Sequence, residues 1–524
     1  LEAGTPVDPE RTGVNVASVS KLFAWTAVVQ LVEQGLLDLD ADVNTYLDYE
    51  IPDTYEQPIT LAHLLTHTSG FESTVIDDLV RDVGDLVPAR DWLVSHIPAR
   101  VRPPGQVAGY SNYNTNLAGY MVARVSGMPY DQYVRQEILD PLGMAYTSIE
   151  SIAPPELEPY RSVGYTYGDG AFQAFPKYWA QPAILPAAGL ATSATDMARF
   201  MIAYLQDGRY GEARILQAET VQRMRGTLYT PDPRISGNAH GFFDFSDSGV
   251  STIGHDGGAP DMNSQLLLLP DWNLGLFVAY NSEGSGGLTT QHLGFQRAFY
   301  DHYFAAPQVA PLEPPADFAR RAGRFTGSYR ITRSGYSTLE KVSGLFSEPK
   351  IVDPGDGTLL LTAPWGEWRF VEVEPLYFRQ VDGEFALVFH EDDRGRITHM
   401  SAGFIPQFAF EKLNWYETAA LNMILAGVCA LLFLSALVVA LIRLILRRHR
   451  RRDGASDRVS STRRARAADW IVSAVWIAAA DWIATGISLL NLLFVVGTVL
   501  WGNPHPVFGV SLIYRLVLAL PVIA

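Results

Sequence analysis

Val16-Ala-Ser-Val-Ser-Lys-Leu-Phe23 sets two serines and a lysine at the head of a long apolar run. From Ser18 to Glu33 the pattern reads as a helix buried on most sides, with Gly35 as its stop signal. A lysine is electrostatically misplaced at the start of a helix, where unpaired N–H groups already carry partial positive charge. Residues three apart are neighbours on a helix, so the Ser18 hydroxyl and the Lys21 amine can meet. A lysine desolvated at that end loses proton affinity and becomes an acceptor for the serine proton. A bare Ser-x-x-Lys is more often a capping serine beside a solvated lysine, so the rest of the chain has to decide. Ser347-Glu-Pro-Lys350 shares the spacing, but its proline forbids the helix, and Ser20 has no lysine three residues on.

Two further elements matter. Gly109-Tyr-Ser-Asn-Tyr-Asn114 reads as a polar loop ahead of a helix, with Tyr110 and Asn112 two apart and able to point the same way. A phenol near a lysine can move a proton, and an amide can orient the amine and a substrate carbonyl. Gly254-His-Asp-Gly-Gly258 lies just before a strand hairpin expected from Ser264–Pro270 and Gly275–Tyr280. An edge strand there could offer backbone N–H groups to a substrate oxygen, and glycines permit close approach.

The ordered set of Ser-x-x-Lys, Tyr-x-Asn and His-x-Gly resembles the penicillin-recognising serine hydrolases, most nearly the class C β-lactamase branch with its D,D-peptidases and esterases. Leu61-Ala-His-Leu-Leu-Thr-His-Thr-Ser-Gly-Phe71 and Pro186-Ala-Ala-Gly-Leu-Ala-Thr-Ser-Ala-Thr-Asp-Met197 agree with it. The resemblance covers residues 1–305 and implies an α/β fold. An antiparallel sheet with flanking helices would stand beside an all-α subdomain, with the site in the cleft between them. It implies Ser18 as the acylated nucleophile, Lys21 as its activator, Tyr110 as general base and acid, and Asn112, His255 and Gly257 as substrate-positioning groups. The backbone N–H groups of Ser18 and Gly258 would form the oxyanion hole. No metal or organic cofactor is implied.

Two features depart from that pattern. Many relatives have Lys-Thr-Gly where this chain has His255-Asp-Gly257. Asp256 either faces the cleft, where it repels a substrate carboxylate, or points away and caps a turn. Esters, amides and peptides of other charge therefore stand beside β-lactams and D-Ala peptides as expected substrates. Only 17 residues precede Ser18, so part of the usual sheet edge is expected to be missing. His63 and His67 have the spacing of a zinc pair, but no Glu follows His63. Asp38-Leu-Asp-Ala-Asp42 lacks the glycine and the closing glutamate of a calcium loop.

The formal charge of −16 is unevenly spread: from Glu417 onward 11 Lys and Arg face 5 Asp and Glu, leaving the body at −22. So acidic a body is not a non-specific nucleic-acid binder. The single cysteine, Cys429, excludes an intrachain disulfide. A Pro-rich linker at 306–315 separates the first region from residues 316–415, which read as a small antiparallel β domain. Ala419–Ile442 carries no charge over 24 residues, enough for ~36 Å of helix, so it is expected to span a membrane. The arginine-rich stretch at 443–468 reads as a cytoplasmic loop, with a second span at 482–500 and the start of a third at 507–524. The expectation is a multi-pass protein of a bacterial-type cell membrane. Its hydrolase domain would lie outside the cytoplasm, with a small-molecule or peptide substrate and membrane lipid as partners. The rival is a receptor or scaffold of the same fold that does not turn over.

Overall fold

The computed structural model describes residues 4–246, 249–283, 287–304, 312–453, 486–490, 493 and 506–508. The chain divides into two compact units, Leu1–Asn414 and Trp415–Ala524.

The first unit is built around α1, Lys21–Glu33, in which every side chain from Lys21 to Leu31 is buried. A helix apolar all round has to be covered on all sides, and here other helices and a sheet share that task. Helix α2, Asn112–Ser126, packs along it, and α3, Ala194–Leu205, stacks Phe200 on Phe23 with ring centroids 4.1 Å apart. The two hydroxyls in that contact satisfy one another: Thr26 Oγ1 lies 2.7 Å from Tyr204 Oη.

The sheet has six antiparallel strands: β1 Thr227–Tyr229, β2 Asn238–Ala239, β3 Phe243–Asp244, β4 Ile253–Ala259, β5 Met262–Leu269 and β6 Leu274–Tyr280. They lie in the order β6-β5-β4-β3-β2-β1. All eight residues of β5 are buried, because helices cover both faces. Leu266 and Leu268 join the core around α1 and α3, whereas Leu267 and Leu269 pack with Tyr300 of α4, Gly287–Tyr303. The expected hairpin closes at Leu269↔Leu274, its turn ending on Asn273 in the left-handed region at φ 48°. The His-Asp-Gly stretch lies within β4, which pairs with β5 along its whole length. It is therefore part of the sheet itself rather than a lead-in to it.

The second β region is a closed eight-stranded barrel: β7 Gly327–Ile331, β8 Lys350–Val352, β9 Leu359–Ala363, β10 Gly366–Glu374, β11 Tyr377–Gln380, β12 Ala386–Glu391, β13 Ile397–Ala402 and β14 Ala409–Lys412. Closure leaves no free edge, and a barrel of this size is filled by its own side chains. Phe325, Tyr329, Phe370, Phe378 and Phe389 fill it here.

The barrel docks beside the tyrosine loop through three sets of bonds. Gly109 forms a β-bridge with Phe408, and the Thr332 hydroxyl donates to the Ala108 carbonyl at 2.7 Å. Glu72, 1% exposed, accepts from the backbone N–H groups of Tyr336 at 2.5 Å and Ser337 at 2.8 Å, and from the Ser337 hydroxyl. Arg102 pairs with Glu411 at 2.6 Å, and Tyr336 donates to the same carboxylate at 2.8 Å.

In the second unit α5, Ala419–Asp453, contains a 28-residue apolar stretch, Ala419–Leu446. Its length and composition suffice to cross a membrane. Most of the second and third spans read from the sequence, and most of the basic loop, fall outside the described residues.

Candidate active site

Ser18 lies in a 3-10 turn, Ala17–Ser20, and the α-helix starts only at Lys21. The first turn of the expected helix is thus wound more tightly. In a 3-10 turn residues three apart eclipse one another, which favours the serine–lysine contact more than an α-turn does. Lys21 Nζ lies 3.0 Å from Ser18 Oγ. Ala17, at φ 44°, takes the left-handed conformation that an alanine rarely adopts. The strain is held from three sides. Asn15 Oδ1 accepts from Ala17 N–H at 2.7 Å, the Ser20 hydroxyl donates to the Ala17 carbonyl at 2.5 Å, and Ser264 of β5 donates to the Val16 carbonyl at 2.7 Å.

Tyr110 ends the polar loop, and its hydroxyl donates to Ser18 Oγ at 2.9 Å. Asn112, the first residue of α2, accepts from Lys21 Nζ through Oδ1 at 2.9 Å. The third partner of Nζ is the Ala187 carbonyl at 2.8 Å. That atom comes from the Pro186–Met197 stretch, where the sequence marked a likeness but no function; a backbone carbonyl leaves no residue-type signal.

His255 lies on the face of β4 turned toward the nucleophile turn, and it is buried. Its Nδ1 lies 2.7 Å from the Asp256 carbonyl and must donate to it, which leaves Nε2 as an acceptor without a partner among the described residues. Gly257 touches the backbone of the same turn: a Cβ there would lie 2.1 Å from the Val16 carbonyl oxygen. Gly258 is exposed at the end of β4. Strand β3 pairs only with Ile253 and Gly254, so this strand pairing leaves the ladder edge of β4 uncovered from His255 onward. Asp256 resolves the open orientation. It accepts from Gln265 Nε2 at 3.0 Å and lies 3.4 Å from His292 Nδ1 of α4. Its carboxylate is therefore on the far face of the sheet, away from Ser18.

The electrostatics of the cleft follow from burial. Desolvation, with Arg333 adding to it, lowers the Lys21 pKa well below the ordinary lysine value. Tyr110 is pushed up to about 12 by burial, against the pull of Arg333 and the Ser18 hydrogen bond. His255 falls to about 3, again mainly through burial. At neutral pH the phenol and the imidazole are therefore uncharged, and Lys21 gives up its proton more readily than an ordinary lysine. A neutral amine has two N–H bonds for the Asn112 and Ala187 carbonyls and one lone pair left for Ser18.

Several contributors lie outside the sequence reading. His67, from the 61–71 stretch, packs its ring 4.3 Å from that of Tyr110 and accepts from Ser111 N–H at 3.4 Å. His63, its neighbour in the zinc-like pair, instead caps its own helix by accepting from Thr60 N–H at 3.2 Å. Asp78 is buried beside Asn112, with its pKa raised to about 8 by desolvation. Arg333 of the barrel stacks over the Tyr110 ring at 4.7 Å. A separate cavity of about 730 Å³ lies between α4 and the barrel, and none of the sequence-predicted site residues lines it.

A helical subdomain beside an antiparallel sheet, with these three motifs meeting at its cleft, defines the penicillin-recognising serine hydrolase superfamily. The chain belongs to the beta-lactamase family, whose model matches residues 1–298. PbpX of Bacillus subtilis (strain 168) is 32% identical over 208 residues, which cover 38% of this chain and 48% of that protein. The chain thus spans about half the length of that relative. Penicillin-binding protein 4 of Amycolatopsis lactamdurans is 28% identical over 323 residues, 59% of this chain and 83% of that one. The crystal structure of SurE shares the fold at a TM-score of 0.53 and 23% identity, covering 79% of this chain and 90% of that one.

Proposed function

We propose that the protein is a membrane-anchored hydrolase, acting outside the cytoplasm, that cleaves a carboxylic ester, amide or peptide through an acyl-enzyme on Ser18. The observation that carries this reading is the convergence of Lys21 Nζ at 3.0 Å and Tyr110 Oη at 2.9 Å on one serine hydroxyl. Lys21 takes the Ser18 proton as Oγ bonds to the substrate carbonyl carbon. The uncharged phenol of Tyr110 protonates the leaving group as its bond to that carbon breaks. Water then adds to the acyl carbon as the Tyr110 phenolate takes its proton, and Lys21 returns a proton to Ser18 Oγ as the bond to the acyl carbon breaks and the acid leaves. The Ser18 and Gly258 N–H groups are assigned to the carbonyl oxygen, whose developing charge they would stabilise.

Membrane anchoring rests on the apolar stretch Ala419–Leu446, and the outward placement of the body on the arginines that follow it. Relatives named as penicillin-binding proteins make cell-wall peptides one candidate substrate class. The experiment is labelling with a fluorescent phosphonate and, separately, a labelled penicillin, each repeated on Ser18→Ala. Labelling lost in the variant supports the acyl-enzyme. A folded protein that neither reagent labels excludes it.

A further inference from the structure

The catalytic cleft contains a cation that the hydrolase domain does not supply. The Arg333 guanidinium stacks on the Tyr110 ring at 4.7 Å, and it acts electrostatically on Lys21, Tyr110, His67 and His255. It belongs to the loop that leaves β7 of the barrel, and that loop is pinned on both sides of the arginine. Thr332 is tied to Ala108, Ser73 N–H donates to the Ser334 carbonyl at 3.2 Å, and Tyr336 and Ser337 are bound by Glu72. The side chain itself is exposed and pairs with no carboxylate among the described residues, whereas its neighbours Arg102 and Arg330 are both committed to Glu411. A cation held in place and left unpaired beside a reacting phenol is poised for an anion.

The third motif makes that role specific. Where many relatives carry a lysine and a hydroxyl, this cleft offers His255, held uncharged by burial, and Asp256 is turned to the far face of the sheet. Lys21 Nζ is already engaged by Ser18, Asn112 and the Ala187 carbonyl. Arg333 is then the positive charge available to a substrate on the Tyr110 side, which is the side of the leaving group.

We infer that Arg333, contributed by the barrel, is a specificity-determining residue that binds a carboxylate on the leaving group, about one residue from the scissile carbonyl. This rests on the acyl-enzyme reading, and the test separates the two. The full chain in detergent is assayed with the thioglycolate thioester of N-acetylglycine and with the same thioester methylated at its carboxylate. The wild type should prefer the anionic member. In Arg333→Gln and Arg333→Ala the ratio of kcat/KM, anionic over neutral, should fall about tenfold or more, with partial recovery in Arg333→Lys. Changes that reach both thioesters through Tyr110 cancel in the ratio.

Independently, calorimetry on Ser18→Ala should show N-acetylglycylglycine binding more tightly than its C-terminal amide, and Arg333→Gln in that background should abolish the difference. An unchanged kcat/KM ratio, or a carboxylate preference that survives loss of the guanidinium, overturns the inference. Absence of turnover and of phosphonate labelling would sink the acyl-enzyme reading, and the calorimetry would still decide Arg333.

Discussion

At the scale of single residues, the chemistry depends on which groups burial keeps uncharged. Lys21 must shed its proton to act, so acylation should speed up as pH rises through the lysine pKa. Because desolvation lowers that value, the rising limb of phosphonate labelling should lie well below pH 10.5. It should not turn down until Tyr110 ionises near 12. Arg333 lowers the Lys21 value, so Arg333→Gln should move the rising limb to higher pH. Asp78 gives a second, structural titration. Its pKa is raised to about 8 from 3.8, so its contribution to stability is fully present below 3.8 and is lost as pH climbs through about 8. Asp78→Asn should therefore gain in thermal midpoint over the wild type at pH 8.5 and lose that advantage at pH 5. Melts at the two values check the sign.

At the scale of elements, the nucleophile turn is held by what presses on it. Strand β4 approaches so closely that Gly257 leaves no room for a Cβ against the Val16 carbonyl. Gly257→Ala should push the 3-10 turn away from Lys21. The expected cost is roughly 1–3 kcal/mol of stability from overpacking, and misplacement of Ser18 should slow labelling about 100-fold. A normal labelling rate in a folded variant would mean that the turn is compliant. Glu72 plays the same part for the barrel loop. Glu72→Ala strips the part-buried N–H groups of Tyr336 and Ser337 of their charged acceptor, at a cost of about 1 kcal/mol or more. It should also blunt any selectivity that Arg333 confers, because a loosened loop no longer holds the guanidinium over Tyr110.

At the scale of the whole molecule, the chain passes from the first compact unit to the second between Asn414 and Trp415. If the apolar stretch Ala419–Leu446 is the anchor, a chain ending at Asn414 should leave the membrane fraction and keep phosphonate labelling at Ser18. Recovery of that chain in the membrane pellet would mean that something else attaches it. Much of the first unit was legible: the central helix and the β5–β6 hairpin lie where periodicity and turn residues put them. The 3-10 start of the helix was not, because winding at the first turn is set by Asn15 and Ser264 gripping it from outside, with Ser20 bonding back within it. Barrel closure was also hidden, since alternating strands look alike whether a sheet is open or closed.

The sequence by itself determined the type of chemistry on offer, because local spacing fixes which side chains a single turn can bring together, as with Ser18 and Lys21. It determined the family for the same reason: three short motifs in a fixed order are local facts. Only the tertiary structure decided what charge the cleft carries. The face that Asp256 takes, the uncharged state of His255 and the arrival of Arg333 from more than two hundred residues along the chain depend on burial and long-range packing. No pattern of neighbouring residues encodes either.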